Sequence, residues 1–402
     1  MATDVRYGYT ASAVDEAVGP RFLRITDFST GLIDWDSVPY CEISDENIGK
    51  YSLASGDVVI ARTGPVGSSV HLQNPPKSVF ASYLVRFRFD ETRCDPKFMG
   101  YVLQSPQWSA YVESARTGSV QPQLNATLMR GFKLLLPPLG DQLRISHMLG
   151  VLDAKISNNR RIAKMLEEIA AGLFKTRFVD FVSHDDLVES EIGRIPRGWE
   201  VRGVGEVLRV VGGSTPSTKE PAYWEGGTNC WVTPKDLSGR NGPILLDTAR
   251  HITDVGVDRI SSGLLPQRTV LMSSRAPVGY TAISFVPLAV NQGFIAVPPS
   301  DGIPSEYILF WMRANMSRIK ASASGTTFAE ISKRAFRPLP MLVPPKRELA
   351  TFAHCVEPLI LRIASCVREN TSLSSIRDDL LPRLISGQIR VGAETELTYK
   401  GA

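Results

Sequence analysis

Val58-Val59-Ile60-Ala61-Arg62-Thr63-Gly64-Pro65-Val66-Gly67 returns, 212 positions later, as Val270-Leu271-Met272-Ser273-Ser274-Arg275-Ala276-Pro277-Val278-Gly279. An apolar run that ends in polar residues and Pro-Val-Gly reads as a strand delivered into a turn. Written twice, it means that the fold is written twice. Other stretches keep step. Leu23-Arg24-Ile25-Thr26-Asp27 is answered by Cys230-Trp231-Val232-Thr233-Pro234-Lys235-Asp236. Gly118 matches Gly325, and Leu136-Pro137-Pro138 matches Val343-Pro344-Pro345, both at an offset of 207. That offset continues without a gap through Leu152/Leu359, Ile156/Ile363, Leu166/Leu373, Ile169/Ile376 and Leu173/Leu380.

Each copy has two textures. The first is rich in Gly, Pro, Ser and Thr between short apolar runs such as Asp57-Val58-Val59-Ile60, Tyr83–Phe89 and Phe294–Val297. These predict short strands of a mixed α/β globule, with helices over 96–114 and 304–320 anchored by Trp108 and Trp311. The second texture is a long helix. Apolar residues at Ile145, Leu149, Leu152, Ile156, Leu166, Ile169 and Leu173, and at Leu349, Phe352, Val356, Leu359, Ile363, Cys366, Leu373, Ile376, Leu380 and Leu384, step by three and four. Steps of that kind, sustained, predict a coiled-coil seam. Asn159 and Asn370 interrupt it, either as an exposed gap or as a polar layer that fixes register. Pro358 is expected to kink the second helix or delay its start. The resulting division is 1–138 globular, 139–182 helix, 183–198 linker, 199–345 globular, 346–388 helix and 389–402 tail.

Composition narrows the function classes. With 45 basic and 41 acidic residues the net charge is +4, which excludes a polycation but allows local basic faces. Five scattered cysteines, Cys41, Cys94, Cys230, Cys355 and Cys366, form no CxxC pair, and the five histidines add no ligand-spaced cluster. Neither a zinc site nor a disulfide framework is expected. No signal-like start and no run of 18 apolar residues is evident, so a soluble cytoplasmic setting is expected. Catalytic motifs are also missing. Asn74-Pro75-Pro76-Lys77 comes within one residue of the Asn-Pro-Pro-aromatic signature of adenine methyltransferases, but Lys77 cannot stack on a flipped base, so the stretch reads as a turn. Gly212-Gly213-Ser214-Thr215 lacks the Gly-Lys-Ser/Thr ending of a phosphate loop.

Ile195-Pro196-Arg197-Gly198-Trp199, Gly212-Gly213-Ser214-Thr215-Pro216, Trp231-Val232-Thr233-Pro234-Lys235-Asp236-Leu237 and Leu271–Gly279 resemble segments of the specificity subunits of type I restriction-modification systems. The resemblance covers nearly the whole chain and is closer in the second half. The first half lacks the Ile-Pro-x-Gly-Trp opening. The resemblance implies a mixed α/β fold with an internal pseudo-two-fold repeat, in which two target-recognition domains are separated by two long antiparallel coiled-coil helices. Each domain would read half of a bipartite, gapped double-stranded DNA site. The helices would dock two methyltransferase subunits, and motor-nuclease subunits would join that core. S-adenosylmethionine, ATP and magnesium would be bound by those partners, and this chain would catalyse nothing. The rival readings are a fused DNA-modification enzyme and a coiled-coil scaffold without DNA specificity.

The candidate DNA contacts are polar, turn-borne and duplicated. Arg62 and Thr63, like Ser274 and Arg275, follow a strand and precede Pro-Val-Gly. An arginine so placed can hold guanine O6 and N7 or grip phosphate; the alternative is a surface salt bridge. Ser119 and Thr326-Thr327 precede short helices as caps or phosphate cradles. Gln121, Gln123 and Asn125 can address adenine edges, and Lys235 and Asp236 follow a buried strand. Arg86 and Arg88, alternating on a strand, are as readily a solvated face.

Overall fold

Val58–Ala61 is buried along its whole length and lies between two antiparallel neighbours. Val58 stands opposite Phe87 of Leu84–Phe89 on one side and His71 of Ser69–His71 on the other, and Ala2–Tyr7 completes the sheet. A continuous β-branched run suits a strand covered on both faces. Val270–Ser273 repeats the arrangement, with Val270 opposite Ile283 and Val297. Beside each sheet lies a parallel strand pair, Arg21–Leu23 with Ser78–Phe80 and Asn229–Val232 with Leu288–Val290.

A computed structural model describes residues 1–28, 33–116, 124–239, 242–325 and 329–391. The chain divides into one unit of Met1–Ser157 with Ser372–Ala402 and another of Asn158–Thr371.

In the first unit the helix expected over 96–114 is broken into Pro96–Val102 and Pro106–Arg116, because Pro106 cannot continue the preceding turn. Trp108 is buried, and its indole N–H donates to Gly67 O at 2.8 Å. Arg86 is 1% exposed and so is no part of a solvated face. Its guanidinium donates to Asp4 Oδ2 at 2.5 Å and Ser52 O at 2.6 Å, while Arg88 Nε donates to Asp57 Oδ1 at 2.7 Å. Burial of the cation is offset by these partners. Phe98, Met99 and Val102 pack with Ile145 and Leu149 of the first long helix and Leu381, Leu384 and Ile385 of the second. Tyr101 Oη donates to Asp153 Oδ2 at 2.5 Å, and Arg377 Nη1 donates to Asp153 Oδ1 at 2.9 Å, so three distant stretches meet at one carboxylate.

In the second unit the helix expected over 304–320 is Ser305–Ala314 followed by Met316–Ala321, with Trp311 buried. Tyr307, Phe174, Phe178 and Phe352 form an aromatic cluster, with Phe178 5.1 Å from Phe352 and 4.9 Å from Tyr307. The stretch 183–198 is not a bare linker. It forms a hairpin, Leu187–Ser190 against Gly193–Pro196, whose Ile195 is buried while its charged residues face water. Pro340–Val343 pairs with Glu200–Gly203, giving the expected strand before the second long helix. The first copy has no strand in the residues before Pro137-Pro138.

The long helices are Leu139–Phe178 and Lys346–Ile385. The first starts after Pro138 and ends four residues short of the expected 182, where Phe181 takes a φ of 51°. The second begins directly after Pro345 and runs through Pro358, and Gly387 (φ 75°) ends the chain's helical course in a left-handed turn. An 18-residue window of this helix is apolar enough to cross a membrane by composition (mean hydropathy 1.3), which the sequence reading overlooked. Its Leu349, Phe352, Val356, Ile360 and Ile363 are nevertheless buried in the second unit's core.

The seam differs in detail from the expected one. Ile145, Leu149 and Ile156 are buried and Leu152 half-buried, but the next inward positions are Asn159, Ala163, Ala170 and Phe174, with Leu166 half-buried. Leu173 is 40% exposed and lies outside the seam, as does Ile169. On the second helix Phe352, Val356, Ile363 and Cys366 are buried and Leu359, Leu373 and Leu380 half-buried. Ile360 and Leu381 take the inward places there, and Ile376 is exposed. Asn159 is 0% exposed, and its Nδ2 donates to Glu369 Oε2 at 2.9 Å and Asn370 Oδ1 at 3.0 Å. Of the two readings of the asparagines, this geometry is the polar layer.

Candidate nucleic-acid interface

The matched turns are built alike. Arg62 O accepts from Leu124 N at 3.1 Å, and Ser274 O accepts from Ile331 N at 3.0 Å. Each turn is thereby tied to the residue that precedes a short capped helix. Asn125 Oδ1 accepts from Leu128 N at the start of Ala126–Arg130, and Ser332 Oγ accepts from Ala335 N at the start of Lys333–Phe336. Asn125 is thus an N-cap, and the side-chain oxygen that could address a base edge is engaged locally.

The shared hydrogen bond shows which residues correspond. Arg62 is matched by Ser274, so the two arginines occupy successive rather than equivalent places. Ser274 is buried, its N–H donating to Gly293 O at 2.8 Å, so its hydroxyl is no surface contact. Arg275 is the half-buried member, with Nη1 3.8 Å from Glu330 Oε2, too far for a hydrogen bond and weak as an ion pair. Arg62 lies over the Tyr7 ring at 5.0 Å, and Thr63 beside it is half-buried. Ser119, Gln121, Gln123, Thr326 and Thr327 lie outside the described residues.

Lys235 and Asp236 separate in role. Asp236 Oδ2 accepts from Thr233 N at 2.8 Å and Thr233 Oγ1 at 2.6 Å, and Oδ1 accepts from Ala249 N at 2.8 Å. It is a capping residue that also holds a loop. Asp27 caps in the same way in the first unit, accepting from Arg24 N at 2.7 Å. Lys235, one position earlier, is exposed and free of that duty. Asn74 lies in a turn with a φ of 45°, between the strands Ser69–His71 and Ser78–Phe80.

Sequence reasoning missed two features of the second unit. Arg250 stacks 3.8 Å from the Trp224 ring centroid and 5.1 Å from that of Trp231, which meet edge to face. A cation held between tryptophans is a rigid, polar-tipped platform. The fold also gathers Cys230, Asp247 and His251, where spacing alone had suggested no cluster of metal-binding side chains. Burial pushes the Cys230 thiol up, away from the thiolate that a nucleophile needs.

The helices carry a further surface. Met165, Ile169 and Leu173 are exposed at steps of four on the second unit's part of Leu139–Phe178, and Leu143, Met148 and Val151 are exposed on the first unit's part. Unpartnered apolar residues in a row mark an interaction face.

Two α/β domains that repeat one strand-borne turn, one tie and one capped helix define a duplicated recognition protein. Residues 33–168 and 196–369 match the family of the type I restriction modification DNA specificity domain. The chain belongs to that family, and its function is that of a DNA sequence-specificity subunit. It is 38% identical over 172 residues to the type I restriction enzyme MjaIX specificity subunit of Methanocaldococcus jannaschii, a match spanning 42% of this chain but only 40% of that protein. With the HindI specificity subunit of Haemophilus influenzae it is 23% identical over 439 residues, covering 91% of this chain and 94% of the relative. The crystal structure of the type I restriction-modification S subunit from M. genitalium shares the fold, with a TM-score of 0.53 at 14% identity over 97% of this chain and 94% of that one.

Proposed function

We propose that each α/β domain reads one half of a bipartite, gapped double-stranded DNA site, and that the chain does so without catalytic work of its own. The observation that carries this reading is the duplicated turn: strand, polar residues, Pro-Val-Gly, and a backbone tie to a capped helix, once in each unit. Arg275, half-buried, lies on that turn in the second unit, as Arg62 does in the first, and Lys235 is exposed on the helix Pro234–Leu237. The exposed apolar rows on the long helices support docking of two methyltransferase subunits, to which motor-nuclease subunits would add. S-adenosylmethionine, ATP and magnesium would then belong to those partners. The complex would work in the cytoplasm, where its DNA is.

The test is Arg275→Ala in the complex assembled with its modification subunit. A base-reading Arg275 should cost about 1–3 kcal/mol of binding, confined to changes in the half-site read by 199–345. Methylome sequencing of cells carrying the variant should show relaxation in that half of the motif alone. An equal loss on every DNA sequence would make Arg275 a phosphate contact.

A further inference from the structure

Cys230 and His251 are direct register partners on the antiparallel strands Asn229–Val232 and His251–Ile252. Residues directly opposite one another project to the same face of a ladder. Asp247 stands four residues before His251, in the loop that leads into that strand, and its Oδ1 accepts from Thr248 N at 2.8 Å. Three donor atoms therefore converge. Cys230 Sγ is 3.5 Å from Asp247 Oδ1 and 3.9 Å from His251 Nε2, and Nε2 is 2.9 Å from the same Oδ1.

One ring nitrogen faces both partners. A nucleophilic relay needs the reverse, with the thiol on one nitrogen and the carboxylate on the other. Convergence on a single point is instead what a metal ion requires. Metal–ligand bonds of about 2.0–2.3 Å in a tetrahedron place neighbouring donors about 3.3–3.8 Å apart, a range that the observed separations of 2.9, 3.5 and 3.9 Å bracket, so an ion would draw Nε2 and Oδ1 slightly apart. We propose that Cys230, Asp247 and His251 form a three-ligand site for a divalent transition metal of the zinc class. Sulfur and imidazole ligands favour such an ion over magnesium or calcium. Cys230 closes the inner side, while His251 (35% exposed) and Asp247 (70% exposed) leave a fourth position to water. Binding forms a metal–sulfur bond and releases the thiol proton to solvent, with no change of oxidation state. The ion would pin the loop 247–251, which also carries Arg250 on its tryptophan platform.

The test uses the full chain, stripped with a chelator and titrated with cobalt(II) as a spectroscopic probe. One equivalent should produce a sulfur-to-cobalt charge-transfer band and the strong visible bands of tetrahedral cobalt, both abolished by zinc. Cys230→Ser should lose the charge-transfer band. His251→Gln, at a part-exposed position and with its fold checked by circular dichroism, should weaken binding more than about tenfold. Cys355→Ser, which removes the exposed cysteine, should change nothing. Absence of the band in the parent chain overturns the site. So does a band that survives Cys230→Ser and disappears in Cys355→Ser.

Discussion

His71 is a half-buried titratable group packed beneath a helix. The backbone of Pro96–Val102 approaches so closely that a Cβ on Gly100 would meet His71 Cβ at 2.7 Å. Burial pushes its pKa down to about 4, against the upward pull of Asp95 and Asp57 and with the help of Lys97. A depressed histidine is neutral in the folded chain while its unfolded counterpart takes up a proton. Stability is therefore full above about pH 6.5 and falls as the pH drops towards about 4. The loss attributable to this group is at most about 3 kcal/mol. Urea midpoints measured across that interval should show the decline, and His71→Leu should flatten it. An unchanged slope in the variant would place the acid sensitivity elsewhere.

Among the elements, the long helices show most plainly what a sequence does and does not display. Their ends were legible within a few residues because Pro-Pro precedes each and Gly387 follows one. Their inward face was only half legible, because counting large aliphatic residues passes over Ala163 and Ala170 and then recruits Leu173 in their stead. A straight helix drifts by roughly 20° per heptad from the seven-residue repeat, so an aliphatic row aligned at one end need not face inward at the other. The first unit's Arg86 escaped for a related reason, since alternation on a strand does not reveal carboxylates on its neighbours. The corrected seam makes two predictions. Leu173→Asp should leave the chain's stability within about 0.5 kcal/mol while sharply reducing capture by the modification subunit in a pull-down. A large loss of stability would return Leu173 to the core. Asn159→Asp removes the donor that faces Glu369 and Asn370 and should destabilise by about 1.5–3 kcal/mol at neutral pH. Chemical denaturation of the purified variant decides this, with a neutral outcome denying the polar layer its role.

On the scale of the whole chain, the helices contribute residues to both units, and Asn159 opposite Glu369 and Asn370 marks where they face each other. Four residues inserted in each helix beside that layer, between Asn159 and Ala163 and between Cys366 and Asn370, add one turn on each strand of the pair. At about 1.5 Å per residue the gain is roughly 6 Å, or near two base pairs at about 3.4 Å each. If the helices set the gap, methylome sequencing should return the same half-sites with one or two more base pairs between them. An active variant with an unaltered gap would end the ruler idea.

The meeting of Tyr101, Asp153 and Arg377 also has a consequence for variation. Asp153 and Arg377 belong to the helices, whereas Tyr101 belongs to the recognition stretch. A variant globule would keep its seat on the helices where it carries the apolar face of Pro96–Val102 and a hydroxyl at the place of Tyr101. Change in the turn-borne loops leaves that seat untouched, so sequence can vary there without loosening the globule from its helices.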